Sequence, residues 1–154
     1  MKEIKIELVK SSNVGELFPK YDDESGILEV TSIKTSDWKY GMDIDGWLIF
    51  DINAERILEN FDLLIPKRKW IMVEDKLINE INIIDFGVLR IDENSLNHQS
   101  YNYPNYKVIL NKSQTILKIL FDSEADNLQA YKVSKKCYAL VNNNNSLKGF
   151  CLHF

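Results

Sequence analysis

Along much of this chain apolar and polar side chains alternate with a period of two, the pattern of strands that bury one face. Ile4, Ile6 and Leu8 alternate with Lys5 and Glu7, which predicts a first strand. Val14 to Tyr21 holds Gly15 and Pro19 and reads as a loop or one helical turn. Ile27 to Ile33 is β-branched and follows Gly26, so it predicts a strand, and Trp38 to Met42 a shorter one. Asp45-Gly46 is a hairpin signal, Trp47 to Ile52 a largely apolar strand buried on both faces or nearly so, and Asn53 to Arg56 a further turn. Ile57 to Ile65 has the Leu58, Phe61, Leu64 spacing of a helix but reads as a strand by analogy with 147 to 154, which contains Gly149 and is too short for a stable helix, and Pro66 ends it. Between Glu74 and Ile84 the period changes: Leu77, Ile78, Ile81 and Ile84 share one helical face and predict one short helix laid across an apolar sheet face. Phe86 to Ile91 predicts a strand and residues 92 to 105 a loop longer than most. Tyr106 to Leu110 and Thr115 to Phe121 predict a hairpin, and Ala130 to Val133, Cys137 to Val141 and Leu147 to Leu152 three more strands.

Two stretches run the same course. Residues 22 to 64 open on Asp22-Asp-Glu24 and Leu28 and close on Leu58-Glu-Asn-Phe61-Asp-Leu63. Residues 122 to 152 open on Asp122-Ser-Glu124 and Leu128 and close on Leu147-Lys-Gly-Phe150-Cys-Leu152. The expectation is a mainly β fold, α+β at most: two related antiparallel β-meanders sharing one core, as one bent sheet or two packed sheets, with one short helix. Leu28 and Leu128, and likewise Phe61 and Phe150, should then occupy matching places. No linker divides the halves, so residues 1 to 154 are expected to form a single domain.

Composition changes this picture little. The chain has a net charge of −4, which disfavours a nucleic-acid partner, since that needs a clustered positive field. Lys67-Arg68-Lys69 is short and stands alone, as a solvated turn would. The first residues alternate charge and apolarity instead of forming a signal-peptide core, and no apolar run reaches the length of a membrane span, so a cytoplasmic protein is expected. Cys137 and Cys151 lack metal-type spacing and read as buried free thiols.

The stretch Lys118-Ile-Leu-Phe-Asp122-Ser-Glu124-Ala125-Asp126-Asn-Leu128, carried through to Leu147-Lys-Gly149-Phe150, resembles the YuzE-like family of small bacterial domains of unknown function. Each half would be one divergent copy. Gly26 stands where the other half has Asp126, and Cys151 where the family places an acid. The resemblance implies no activity, and an association of some members with toxin and antitoxin pairs.

Catalysis near neutral pH ordinarily draws on His. His98 lies in the polar loop and His153 alternates with Leu152 and Phe154 on the last strand, with no nucleophile signature beside either. Asp22, Asp23 and Glu24 lack the spacing of a calcium loop. No catalytic residue, cofactor or metal is assigned, and an enzyme is the less favoured class. What remains is surface: Asp43, Asp45, Asp51, Glu55, Glu59 and Asp62, with His98, Tyr101, Tyr103 and Tyr106 on the long loop. Acids steer a basic partner and tyrosines anchor it. The expected function is a bacterial binding protein of immunity or antitoxin type that neutralises a basic protein. The alternatives are a small-ligand binder or enzyme with a pocket between the meanders, lined by Trp38, Trp47 and Trp70, and an oligomer-forming structural subunit using exposed sheet edges.

Overall fold

The computed structural model of the chain describes residues 3–10, 16–32, 39–78, 81–97, 101–122 and 127–154. Its strands are β1 (Ile6–Lys10), β2 (Leu17–Asp22), β3 (Ile27–Ser32), β4 (Tyr40–Ile44), β5 (Leu48–Ile52), β6 (Leu58–Leu64), β7 (Trp70–Val73) and β8 (Ile83–Ile91), then β9 (Lys107–Asn111), β10 (Ile116–Leu120), β11 (Gln129–Ser134), β12 (Cys137–Val141) and β13 (Leu147–His153). A single turn of helix, α1 (Glu93–Asn97), follows β8. Among the described residues these strands make two sheets. One has five strands in the order β2-β3-β6-β5-β4, and the other has eight in the order β1-β8-β11-β12-β13-β10-β9-β7. The fold is thus mainly β, with two antiparallel meanders in packed sheets, and parallel pairing enters where β8 joins β11 and β7 joins β9.

The five-stranded sheet and the set β9 to β13 share one strand order: a hairpin, then three strands that return to lie beside its second member. Register agrees as well. Val30 pairs with Phe61 as Ile119 pairs with Phe150, and Phe50 faces Phe61 as Ala139 faces Phe150. Both sets carry a bulge at the same step, after Asp51 in one and after Leu140 in the other. The loop that follows is built alike. Asn53 Oδ1 accepts from the amides of Glu55 (2.9 Å) and Ile57 (3.0 Å), and Asn142 Oδ1 from those of Asn144 (2.9 Å) and Ser146 (3.0 Å). Arg56 and Asn145 both take positive φ at the matching place, +66° and +58°.

Phe61 and Phe150, counterparts in register, stack on each other at the centre of the core with ring centroids 4.1 Å apart and an interplanar angle of 16°. Phe50 and Phe121 meet Phe150 edge-on. From sequence, Leu28 is paired with Leu128. In the fold its counterpart is Leu117: Leu28 faces Leu63 as Leu117 faces Leu152, whereas Leu128 lies just before β11, the counterpart of β4. The Asp-rich openings at 22 and 122 look alike but stand one strand apart.

Three further expectations are corrected. The helix predicted over 74 to 84 does not form. Asp75–Leu77 makes one 3-10 turn, Ile78 is buried, and Ile83 and Ile84 begin β8, where β-branched side chains suit a strand better than a helix. β5 is not buried on both faces, since Ile49 is 42% exposed. The stretch before Asp22 is a strand, and Pro19 sits within it at a sheet edge, where a missing amide hydrogen is tolerated.

Candidate protein-binding surface

Alternation along β3, β5 and β6 sends Leu28, Val30, Leu48, Phe50, Phe61 and Leu63 into the core, so the residues between them face out. One outward row crosses all five strands: Lys20, Glu29, Asp62, Ile49 and Asp43 are successive partners in register. The adjacent row carries Asn60, Asp51 and Gly41. Three of the acids singled out from sequence, Asp43, Asp51 and Asp62, therefore share one face. Glu29 joins them from a strand far upstream. Phe18, Ile49 and Leu64, each between 42% and 44% exposed, give that face apolar footing.

The electrostatics are uncompensated at the centre. Burial raises the carboxyl of Asp62 above its usual range, and Glu29 and Asp51 add like charge beside it. Burial raises Asp51 as well. Among the described residues neither makes an ion pair with a cation. Lys20 stands at the β2 margin, and Lys39 lies over the Tyr40 ring at the other. Such a face attracts a cationic surface, which would neutralise it.

The remaining predicted site residues are dispersed. Asp45 lies in the turn after β4, and Glu55 projects from the Asn53 loop. Glu59 accepts from Asn53 Nδ2 at 3.0 Å and lines a cleft between the sheets. His98 lies outside the described residues. Tyr101 and Tyr103 are corrected from surface anchors to interior residues, at 6% and 2% exposure: the chain after α1 folds inward, Tyr101 Oη donates to the Ser95 carbonyl at 2.7 Å, and burial lifts the Tyr103 phenol to about 12. Tyr106 is half-buried, stacked on Trp47 at 4.1 Å, and accepts from Lys69 Nζ at 3.1 Å.

Of the three tryptophans, Trp38 lies outside the described residues, and Trp47 and Trp70 line two separate cavities. Trp47 packs on Tyr106, while Trp70 packs edge-on against Tyr21 and donates to the Ile65 carbonyl. The cleft between the sheets is about 200 Å³ and is walled by Leu17, Ile57, Phe61, Leu89, Val133 and Phe150, with Glu16 and Glu59 among its polar groups. That cleft is smaller than ligand pockets commonly are, from about 300 Å³ upward, whereas the Trp70 and Trp47 cavities are larger, about 470 and 460 Å³, and more open to solvent. Cys137 and Cys151 lie on adjacent strands but on opposite faces, and burial raises both thiols, Cys151 to about 12, which makes them poor nucleophiles. Among the described residues no three His, Cys, Asp or Glu side chains converge as metal ligands, and no helix is long and apolar enough to cross a membrane.

The same strand register in β9 to β13 ends differently. There much of the outer face is apolar and covered, with Lys118 and Lys132 also pointing outward: Ile78 is buried against Ile116, Leu120, Ala130, Tyr138, Leu140 and Cys151, with Ile81 beside it. No family model matches the chain, and no curated protein matches it in sequence.

Proposed function

We propose that this chain is a cytosolic, bacterial protein-binding module of immunity or antitoxin type, and that the acidic outer face of the five-stranded sheet is where a basic protein docks. The observation that carries it is the pair Asp51 and Asp62, half-buried at the middle of the outer sheet face with carboxyls raised by burial and, among the described residues, no cation paired to them. Carboxylates held this way weaken a fold, and a protein keeps such groups where function uses them. The YuzE-like resemblance, with its association with toxin and antitoxin pairs, points to the same class of partner.

The test is to titrate the purified product of the neighbouring gene against this protein through a salt series. Affinity should fall as salt rises, and Asp62→Lys should weaken it by about tenfold or more. Affinity indifferent to both salt and Asp62→Lys contradicts the proposal.

A further inference from the structure

We infer that the partner enters this face as an extended basic segment that adds a strand to the free edge of β4 and then crosses the sheet. Resting on the basic-partner role proposed above, the inference takes its geometry from the other half of the molecule. There the stretch between the two strand sets acts on β9 to β13 as a clasp. β7 lies parallel to β9, Ile78 is buried against the outer face with Ile81 packed beside it, and β8 emerges parallel to β11. The clasp is tied at both ends: Asp75 accepts from the Ser113 amide at 3.0 Å, and the Asn82 carbonyl from the Ala130 amide at 3.2 Å.

In the first set the corresponding edges are β2 and β4, and among the described residues each ends its sheet. β2 carries Pro19, which cannot donate to a ladder, so β4 is the better template. β4 is the counterpart of β11: Gly41 faces Asp51 as Ala130 faces Leu140. Where Ala130 is packed at 2% exposure, a Cβ built on Gly41 meets nothing within 4 Å, so among the described residues the lane is open at Gly41. The chemistry of that lane is inverted. Cys151 and Leu140, which meet isoleucine, are replaced by Asp62 and Asp51, so the crossing residues must be Lys or Arg where the clasp has Ile78 and Ile81. A second copy of this chain would bring a net charge of −4 and the same acids, so a cationic protein segment is the fitting occupant. Main-chain hydrogen bonds to an exposed edge then supply affinity, and side chains across the face supply choice of partner.

The probe is a synthetic peptide of this chain's own residues 76–86 carrying Ile78→Lys, Glu80→Lys and Ile81→Lys, together with a twin N-methylated at alternate amides, which keeps the charge but cannot pair as a strand. The lysine peptide should bind the intact protein and slow amide exchange across Tyr40–Ile44, and both N-methylation and the Asp51→Asn/Asp62→Asn double variant should weaken it by about tenfold. If the methylated twin binds equally and exchange at 40 to 44 is unchanged, strand addition is wrong while the acidic docking face stands. If the lysine peptide binds but ignores both salt and the double variant, the docking face falls with it. Failure of the lysine peptide to bind, or a sedimentation mass showing that a second copy already occupies the β4 edge, also overturns the inference.

Discussion

The outward row across the five-stranded sheet reads Lys20, Glu29, Asp62, Ile49, Asp43, and the row in matching register across β9 to β13 reads Ile109, Lys118, Cys151, Tyr138, Lys132. Inward, the two sets are interchangeable in kind, aliphatic and aromatic side chains meeting at the Phe61 and Phe150 stack. Outward they differ: Ile78 and Ile81 pack on the β9 to β13 face, and among the described residues no segment covers the other. A roofed strand buries both faces and reads as a continuous apolar run, as in Cys137–Val141, where every residue is buried. An unroofed one alternates, as in Ile27–Ser32. The contrast separates residues that build the scaffold from residues left over for another purpose, and the acids belong to the second group.

The largest effects should fall on what the two sets have in common. Phe61→Ala and Phe150→Ala should each lower stability by about 3–5 kcal/mol and by similar amounts, because each removes one half of the same buried stack. Chemical denaturation would show it, and a cost confined to one of the pair would break the equivalence. Next come the two outer faces. Ile78→Thr, in the clasp, should cost about 2 kcal/mol, while the same change at exposed Ile49 should stay within about 0.5 kcal/mol.

The smallest effect has a sign that distinguishes it. Burial puts the carboxyls of Asp51 and Asp62 above their unfolded values, so as pH rises the unfolded chain releases those protons first, and each ionised group weakens the fold above the carboxylate range and not below it. Asp51→Asn and Asp62→Asn should therefore raise the melting temperature at pH 7, with the gain vanishing below about pH 4. Scanning calorimetry across that range checks both the sign and the window. A loss of stability at pH 7 would mark the two acids as structural.

Much of the strand content was legible because period two survives wherever one face is bare, and the closing Leu58-x-x-Phe61-x-Leu63 and Leu147-x-x-Phe150-x-Leu152 marked true counterparts. The openings at 22 and 122 misled because an Asp-rich turn recurs at any strand end that needs its amides accepted. In the fold Asp22 takes the Glu24 amide, and its counterpart Asn111 takes those of Thr115 and Ile116. Leu77, Ile78, Ile81 and Ile84 fit a helical face, yet long-range pairing of β8 with β1 and β11 outweighed that local pattern. Trp70–Val73 was a short apolar run and could have been read as a strand. Of the candidate surface, Asp43, Asp51 and Asp62 were visible because they alternate with core residues. Glu29 was not, since register alone brings it beside Asp62, and the burial of Tyr101 and Tyr103 depends on how the chain after α1 folds against distant strands.

The account stands on place rather than on total charge, so the decisive measurement is a matched pair of charge reversals read by affinity for the basic partner at one salt concentration. Asp51→Lys/Asp62→Lys, on the face, should weaken binding by about a hundredfold, while Glu55→Lys/Glu93→Lys, with the same change in net charge but off that face, should stay within about threefold. Equal losses from the two double variants would contradict the account, because the acidic sheet face would then matter no more than any other acid on the surface.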